Sequence, residues 1–254
     1  MELVLKNLGI GYGRTVVQCG LEQSLMEAGV TSLLGANGAG KSTLLRTICG
    51  LEKPLEGSVL LDGRAVAGMN EREISLRIGV VWTSRPPAAA LTVSEMVAMG
   101  RQPHTGFWGR LGERDRRVCA RALEDVGMSS KAERYFGTLS DGERQKVMIA
   151  KALVQECPVI IMDEPTAFLD VTSRIEIMLL MRSIAEKYHR SILLSTHDLD
   201  IALRHSHYLW LLSSNGLPMT AGTPEELLSR RAIGPYFDTP SLVFDHESRS
   251  FRTE

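Results

Sequence analysis

The fold of this chain is decided by the stretch Val30-Thr31-Ser32-Leu33-Leu34-Gly35-Ala36-Asn37-Gly38-Ala39-Gly40-Lys41-Ser42-Thr43. An apolar run leads there into a glycine-rich turn and then into a helix-like segment. The turn fits the pattern GxxxxGK[ST], in which glycines let main-chain N–H groups point inward around the phosphates of a nucleotide. We predict that the nucleotide contacts Gly35, Asn37, Gly38, Ala39, Gly40, Lys41, Ser42 and Thr43.

Two side chains of this turn carry chemistry. Lys41 supplies a positive charge to the phosphates, and the hydroxyl of Ser42 is the expected Mg²⁺ ligand. The helix that begins near Lys41 adds the positive end of its dipole. A chance glycine-rich turn is the alternative interpretation, and the strand–loop–helix setting argues against it.

Apolar runs elsewhere in the chain alternate with helical segments. We predict strands at 30–34, 58–61, 78–82, 159–162, 191–195 and 208–212, and helices at 41–49, 172–188 and 199–205. Uninterrupted apolar strands between helices are typical of a mostly parallel sheet that is covered on both faces. The predicted fold class is therefore α/β.

One region departs from this alternation, because no convincing strand occurs between about residues 84 and 154. Thr92 and Glu95 form a capping box there, and apolar spacing predicts helices at 114–126 and 142–154. We predict an α-helical subdomain at about 84–154, inserted into a core of about 1–83 and 155–220. A C-terminal tail follows at about 221–254, with a short helix at 225–230 and a final hairpin.

Two adjacent carboxylates, Asp163 and Glu164, end the apolar run 159–162. Side chains alternate along a strand, so the two acids diverge at the sheet edge where α/β proteins bind ligands. We expect Asp163 to hold Mg²⁺ through its water shell and Glu164 to polarise the attacking water. A solvated strand end is the alternative, and the phosphate loop argues against it.

Two further segments could reach a phosphate. Ser140 and Gly142 begin the helix predicted at 142–154, and a helix N-terminus with a nearby glycine can bind a phosphate through main-chain N–H groups. Ser140 and Glu143 also satisfy an ordinary capping box, and the two roles are compatible. His197 follows the strand at 191–195, at the same sheet edge. A surface or core histidine is the alternative there.

The bulk composition narrows the class of protein. With 29 basic and 30 acidic residues the net charge is -1, which predicts no general affinity for nucleic acid or anionic lipid. No apolar stretch is long enough to cross a bilayer, and the N-terminus lacks the basic region of a signal peptide. The four cysteines lie far apart, which predicts reduced, buried thiols and a cytosolic chain.

The order of these motifs resembles the ATP-binding subunits of ABC transporters. The Leu-Ser-x-Gly sequence at 139–142 is specific to that family. Residues 163–170 resemble its Walker B segment and D-loop, which makes Asp170 a nucleotide contact, and His197 resembles its switch histidine. Tyr12 matches the aromatic residue that stacks on adenine, with a buried strand-end tyrosine as the alternative.

The resemblance implies a RecA-like P-loop NTPase core that uses ATP and Mg²⁺, with Lys41, Glu164 and His197 as catalytic residues. It implies a head-to-tail dimer, in which Ser140 and Gly142 of one copy bind the γ-phosphate held by the other copy. It further implies an integral-membrane permease as partner, an indirect substrate-binding protein, and no nucleic acid. The chain would then lie peripherally at the cytoplasmic face of the inner membrane.

Residues 91–104 and 222–226 narrow the type further. They are similar to the TV-x-E-x-V-x-x-GR-x-PH pattern and the tail start of iron-siderophore, haem and cobalamin importers. Convergence of capped helices is the alternative explanation. The leading hypothesis is the ATPase subunit of such an importer; an exporter cassette and a soluble non-transport ABC ATPase are the alternatives. Phe107 and Trp108 are candidates for contact with the permease or for core packing.

Two positions depart from the family pattern. The family has a glutamine at the end of the strand before the helical subdomain, as a Mg²⁺ ligand and relay, but no glutamine occurs here between Gln23 and Gln102. Thr83 is nearest to that position. Its side chain is shorter than that of glutamine, and a bridging water could connect its hydroxyl to the Mg²⁺. Asp141 occupies the place of a second glycine. Because its charge would repel a phosphate, we do not count Asp141 as a phosphate ligand.

Overall fold

The computed structural model describes residues 1–83, 90–105 and 109–253. The strands are β1 (Leu3–Tyr12), β2 (Thr15–Ser24), β3 (Val30–Leu34), β4 (Glu56–Leu61), β5 (Arg64–Ala65), β6 (Ile78–Val81), β7 (Val159–Met162), β8 (Ser191–Ser195), β9 (Tyr208–Leu211), β10 (Thr220–Gly222), β11 (Leu242–Asp245) and β12 (Ser250–Thr253). The α-helices are α1 (Lys41–Ile48), α2 (Glu71–Ser75), α3 (Val93–Ala98), α4 (Glu113–Asp125), α5 (Asp141–Leu153), α6 (Val171–Tyr188), α7 (Leu199–His205), α8 (Pro224–Ser229) and α9 (Gly234–Phe237).

The central sheet has the strand order β10-β9-β3-β8-β7-β6. Strands β9, β3, β8, β7 and β6 pair in parallel, and β10 pairs antiparallel with β9 at one edge. β3, β7 and β8 are buried along their whole length, as continuous apolar runs predict for a sheet covered on both faces. The predicted α/β core with a mostly parallel sheet is confirmed. The carboxyl ends of β3, β7 and β8 lie side by side, and the loops that follow them carry the site.

A second sheet, of order β2-β1-β4-β5, is entirely antiparallel. The strand predicted at 58–61 is present within β4, but it pairs antiparallel with β1 and β5 and lies outside the parallel sheet. β1 and β2 lie outside the predicted strands. β2 is largely exposed and contains no continuous apolar run, so its sequence does not resemble that of a buried strand. It is held in the sheet by its antiparallel pairing with β1.

The described residues between β6 and β7 form α-helices and short 3₁₀ segments and contain no strand. The capping box predicted at Thr92 is present: the N–H of Glu95 donates to Thr92 Oγ1 at 3.2 Å, and the N–H of Thr92 donates to Glu95 Oε2 at 2.8 Å. One apolar cluster joins α3, α5, β7 and α6 through Val97, Val147, Met162 and Met178. The helices are thus packed onto the sheet; where a subdomain begins and ends stays a prediction.

The C-terminal tail contains α8, α9 and the predicted hairpin of β11 and β12. Leu227 of α8, Ile233 and Phe244 of β11 pack in one apolar cluster with Leu203 of α7. The loop that carries His197 leads directly into α7. The tail therefore packs against the helix that follows this loop.

Three of the four cysteines are buried, as predicted, but Cys19 on β2 is exposed, and all four thiols are free. Cys19 belongs to the largely exposed part of β2. Burial raises the pKa of the Cys157 thiol to about 12, so this thiol stays protonated at neutral pH. Across the described part of the chain, no helix combines the length and the apolar character that a bilayer crossing needs.

Candidate nucleotide-binding and catalytic site

The phosphate loop between β3 and α1 depends on two glycines for its shape. Gly40 has φ +96°, a left-handed conformation that glycine adopts without strain. At Gly35, an added Cβ would lie 2.3 Å from the carbonyl oxygen of Leu212. The loop therefore turns tightly against the residue that follows β9, as the motif requires.

Lys41 is the first residue of α1 and is only 7% exposed. Its Nζ donates hydrogen bonds to the carbonyl oxygens of Gly35 at 2.8 Å and Ala36 at 3.3 Å. Burial lowers the pKa of Lys41, and the nearby carboxylates of Glu164 and Asp163 counteract that effect. The ammonium is thus held inside the loop, facing the acids that end β7.

Asp163 joins three strand ends. Its Oδ1 accepts hydrogen bonds from Ser42 Oγ at 3.1 Å and from Ser195 Oγ at 2.7 Å. Its main-chain carbonyl accepts a third bond, of 2.6 Å, from Thr83 Oγ1 at the end of β6. The carboxylate and the Ser42 hydroxyl are oxygen donors of the kind that Mg²⁺ prefers, so the residues present fit this ion.

Glu164 has φ +47°, which is unusual for a residue with a side chain. Its main-chain N–H donates to Ser195 Oγ at 2.9 Å. Its Oε1 lies 3.8 Å from Nδ1 of His197. The structure therefore brings together the carboxylate and the imidazole that the sequence placed 33 positions apart at one sheet edge.

Of these groups, Lys41, Ser42 and Glu164 share one open cavity of about 380 Å³. It is lined by Tyr12, Val17, Asn37, Gly38, Gly40, Lys41, Ser42, Thr43 and Glu164. A cationic nitrogen, a hydroxyl and a carboxylate thus face one space beside a glycine-rich loop. Such a combination can hold a polyphosphate and place a carboxylate beside it.

Tyr12 ends β1, and its side chain is 47% exposed at the mouth of this cavity. The alternative of a buried strand-end tyrosine is therefore wrong. The Tyr12 hydroxyl accepts a hydrogen bond of 3.2 Å from Thr43 Oγ1. This contact ties the ring to α1, and its stacking on adenine stays a prediction.

Ser140 is the N-cap of α5, and the capping-box interpretation is confirmed. The N–H of Glu143 donates to Ser140 Oγ at 3.3 Å, and the N–H of Ser140 donates to Glu143 Oε2 at 2.9 Å. Gly142 lies in the first turn of α5, where an added Cβ would be 3.4 Å from Ser173 Oγ. Ser140 and Gly142 are thus placed on α5 and not on the wall of the phosphate-loop cavity. Their contact with a phosphate stays a prediction.

Asp170 is the N-cap of α6. Its Oδ1 accepts from the N–H of Ser173 at 2.9 Å and its Oδ2 from Ser173 Oγ at 2.8 Å. These hydrogen bonds lower the pKa of the Asp170 carboxyl. Capping explains both bonds, and the predicted nucleotide contact of Asp170 remains open to test.

Two residues of the site were missed by sequence reasoning. Ser195 is the polar C-terminal residue of β8, after the apolar residues 192–194 and directly before Thr196 and His197, and that pattern was the available signal. Gln18 lies on β2, and its Nε2 donates to the carbonyl oxygens of Ala39, at 2.9 Å, and Ser213. No local pattern marks Gln18, because both partners are distant in sequence. Phe107 and Trp108 lie outside the described residues.

The model of the family named ABC transporter matches residues 20–167 of this chain. The iron(3+)-hydroxamate import ATP-binding protein FhuC of Bacillus subtilis is 38% identical over 242 residues, which are 95% of this chain and 90% of FhuC. The cobalamin import ATP-binding protein BtuD of Halobacterium salinarum is 36% identical over 243 residues, which are 96% of this chain and 60% of BtuD.

Two solved structures are similar along nearly the whole fold. One, described as an ABC transporter of the metal-chelate type in an inward-facing conformation, has a TM-score of 0.80 at 26% identity and covers 99% of this chain and 95% of that chain. The other is the dimeric structure of MJ0796, a bacterial ABC transporter cassette, with a TM-score of 0.74 at 27% identity, covering 87% of this chain and 98% of that one.

Proposed function

This chain belongs to the ABC transporter family, and from that membership we propose that it is the ATP-hydrolysing subunit of an importer for an iron chelate, haem or cobalamin. One observation carries the hydrolytic part: Lys41, Ser42 and Glu164 line a single cavity at the end of the parallel sheet. The likeness to FhuC and BtuD supports the type of cargo. The importer-like sequence at 91–104 supports it as well.

In this proposal the phosphate loop and Lys41 bind the β- and γ-phosphates of ATP. Glu164 polarises the attacking water, and His197, 3.8 Å from that carboxylate, contacts the γ-phosphate and holds the Glu164 side chain in place. Ser42 and Asp163 would hold Mg²⁺, which supplies charge neutralisation at the phosphates. Tyr12 stacks on the adenine from the mouth of the cavity.

We further propose that the working unit is a head-to-tail dimer. Ser140 and Gly142 sit at the N-terminus of α5, apart from the cavity wall of their own chain. A second copy can present the same helix end to the γ-phosphate, where main-chain N–H groups and the helix dipole favour an anion. The dimeric state of the MJ0796 cassette supports this arrangement.

The proposed partner is a separate integral-membrane permease, which a substrate-binding protein loads from the other side. The permease would hold this chain at the cytoplasmic face of the inner membrane. The whole-length likeness to a metal-chelate type transporter supports such a complex. To test the cargo, the chain is reconstituted with its co-purified permease, and uptake of ferric siderophore, haem and cobalamin is compared. If none of the three is taken up in an ATP-dependent way, the importer assignment fails.

Glu164→Gln tests the hydrolytic role. We expect turnover to fall about 10²- to 10⁴-fold, the usual range for loss of a general base, while ATP affinity stays unchanged. The variant should form a stable dimer under saturating Mg·ATP, measured by light scattering. Glu225→Gln, which removes an exposed carboxylate on α8, is the matched control. A Glu164→Gln chain with normal turnover, or one that stays monomeric with Mg·ATP, would contradict the proposal.

A further inference from the structure

Ser195 is the last residue of β8 and is completely buried. Its hydroxyl donates to Asp163 Oδ1 at 2.7 Å and accepts the main-chain N–H of Glu164 at 2.9 Å. One hydroxyl group therefore uses both its donor and its acceptor capacity on two consecutive residues of the neighbouring strand end. Each of those residues has its own role in the proposed chemistry.

The bond to Glu164 holds a strained piece of main chain. At φ +47° a residue with a Cβ is disfavoured, and it persists only where its surroundings fix it. The N–H of Glu164 is fixed by Ser195, and this conformation directs the carboxylate toward His197 and the phosphate-loop cavity. Without the acceptor, the main chain at Glu164 can relax toward an ordinary conformation, and its carboxylate would turn with it.

The bond to Asp163 fixes a side chain. Ser42 and Ser195 both donate to Oδ1, so the carboxylate is held between the phosphate loop and β8. If Ser42 Oγ held Mg²⁺, as the proposed function requires, the bond from Ser195 would still hold the Asp163 carboxylate. Ser195 also precedes His197 by two residues, so the segment that fixes the two acids carries the imidazole.

We propose that Ser195 is a positioning residue for ATP hydrolysis, which sets the main chain of Glu164 and the rotamer of Asp163. This role rests on the proposed function, because it presumes that these two acids act on Mg·ATP. Ser195 acts through them and does not touch the nucleotide. The competing explanation is a buried serine that only stabilises the sheet edge.

Ser195→Ala tests the proposal. We expect kcat to fall about 10- to 100-fold, the scale of a hydrogen bond to a charged group. Affinity for ATP without Mg²⁺ should remain within about 2-fold of wild type, because the phosphate loop is intact, and the gain in affinity that Mg²⁺ provides should shrink. A fluorescent ATP analogue, titrated with and without Mg²⁺, measures that gain independently of turnover. Ser195→Thr keeps the hydroxyl and should restore both properties.

The matched control is Ser32→Ala. Ser32 lies on β3 of the same sheet, is fully buried, and shares a 2.6 Å hydrogen bond with Ser206 Oγ. Its loss should lower the melting temperature by an amount similar to that for Ser195→Ala while leaving kcat unchanged. If Ser195→Ala does not fold, Ser195→Cys keeps the size with a weaker donor and should show the same defect at smaller scale.

The outcomes separate the two hypotheses. If wild type hydrolyses ATP but Ser195→Ala or Ser195→Cys keeps wild-type kcat and Mg²⁺ dependence, the positioning role is wrong and the proposed function stands. The same holds if Ser32→Ala lowers kcat as much as Ser195→Ala does. If wild type neither binds nor hydrolyses ATP, the proposed function fails, and the role of Ser195 fails with it.

Discussion

Two glycines of the phosphate loop differ at the level of single atoms. Both are left-handed, Gly38 with φ +84° and Gly40 with φ +96°. An added Cβ at Gly40 would lie 2.6 Å from Val17 Cγ1, whereas at Gly38 no described atom beyond its own neighbours lies within 4 Å. Only a substitution at Gly40 therefore combines backbone strain with a steric clash.

We predict that Gly40→Ala destabilises the fold more than Gly38→Ala does. The left-handed backbone should cost either variant about 1–2 kcal/mol. Contact with Val17 on β2 should add about 1–3 kcal/mol for Gly40→Ala. Urea denaturation measures both free energies of unfolding, and Gly68→Ala, with open space around its Cβ, is the control. If Gly38→Ala and Gly40→Ala lowered the free energy of unfolding equally, the contact with Val17 of β2 would not contribute to the effect.

Thr83 is the residue nearest to the predicted glutamine position, and its hydroxyl donates to the carbonyl oxygen of Asp163. We predict that Thr83→Gln, with a longer side chain, lowers the Mg²⁺ concentration for half-maximal ATPase about 3- to 10-fold, the value of one added polar contact. Thr83→Val removes the hydroxyl without adding reach and is the control. Magnesium titrations with and without the permease measure the effect. Unchanged basal and permease-stimulated rates in Thr83→Gln would refute a special role for Thr83.

Among the strands and helices, those that are buried on both faces or begin with a capping box were predicted best from the sequence. The bounds of β3, β7 and β8 were predicted to the residue, because strands buried on both faces are continuous apolar runs. The capping residues Thr92 and Ser140 were predicted because a cap is a local pattern. β1 and β2 were missed, since these antiparallel strands form through pairing between separate segments and carry no continuous apolar run. The same limit hid Gln18 of β2, whose partner Ser213 is far away in sequence.

The capping box of α5 should make stability depend on pH. The ion pair with Lys131, and next the N–H of Ser140, lower the pKa of Glu143. A carboxyl whose pKa is lower in the folded state stabilises the fold above its unfolded pKa, and this contribution is lost as the pH falls through the folded pKa. The contribution of Glu143 should therefore be complete at neutral pH and disappear on acidification below its ordinary range.

Glu143→Gln keeps an acceptor for the N–H of Ser140 and removes the charge that pairs with Lys131. We predict that it lowers the free energy of unfolding by up to about 1 kcal/mol at neutral pH, the usual scale of a partly exposed ion pair. The difference from wild type should shrink as the pH falls below the ordinary range of a glutamate carboxyl and through its lowered pKa in the folded state. Urea denaturation over this range measures it. Glu124→Gln on α4, an exposed carboxyl outside any cap, is the control. A difference that does not vary with pH would exclude the ionised carboxylate as its source.

For the whole molecule, the order of motifs predicted the family, and we predict that the complete site is shared between two copies of the chain. The loops after β3, β7 and β8 meet at one sheet edge because the strands are parallel neighbours. Ser140 and Gly142 belong to α5, and neither lines the phosphate-loop cavity. Asp141, which lies between them, lines a second cavity together with Asp163 and Glu164. The place of α5 could not be predicted from sequence order, since it depends on how the helices pack. We predict that a second copy of the chain brings its Ser140 and Gly142 to the phosphate loop.

Mixed dimers test this sharing. All copies carry Glu164→Gln. Lys41→Met then disables the phosphate loop of a copy, and Gly142→Asp disables the N-terminus of α5. If each site takes its loop from one copy and its helix from the other, a dimer with the two changes on different copies keeps one intact site. A dimer with both changes on one copy keeps none. We therefore predict ATP retention, measured by filter binding with tagged copies, only when the changes lie on separate chains. Sites complete within one chain would give the opposite pattern, with ATP retained only when both changes lie on the same copy.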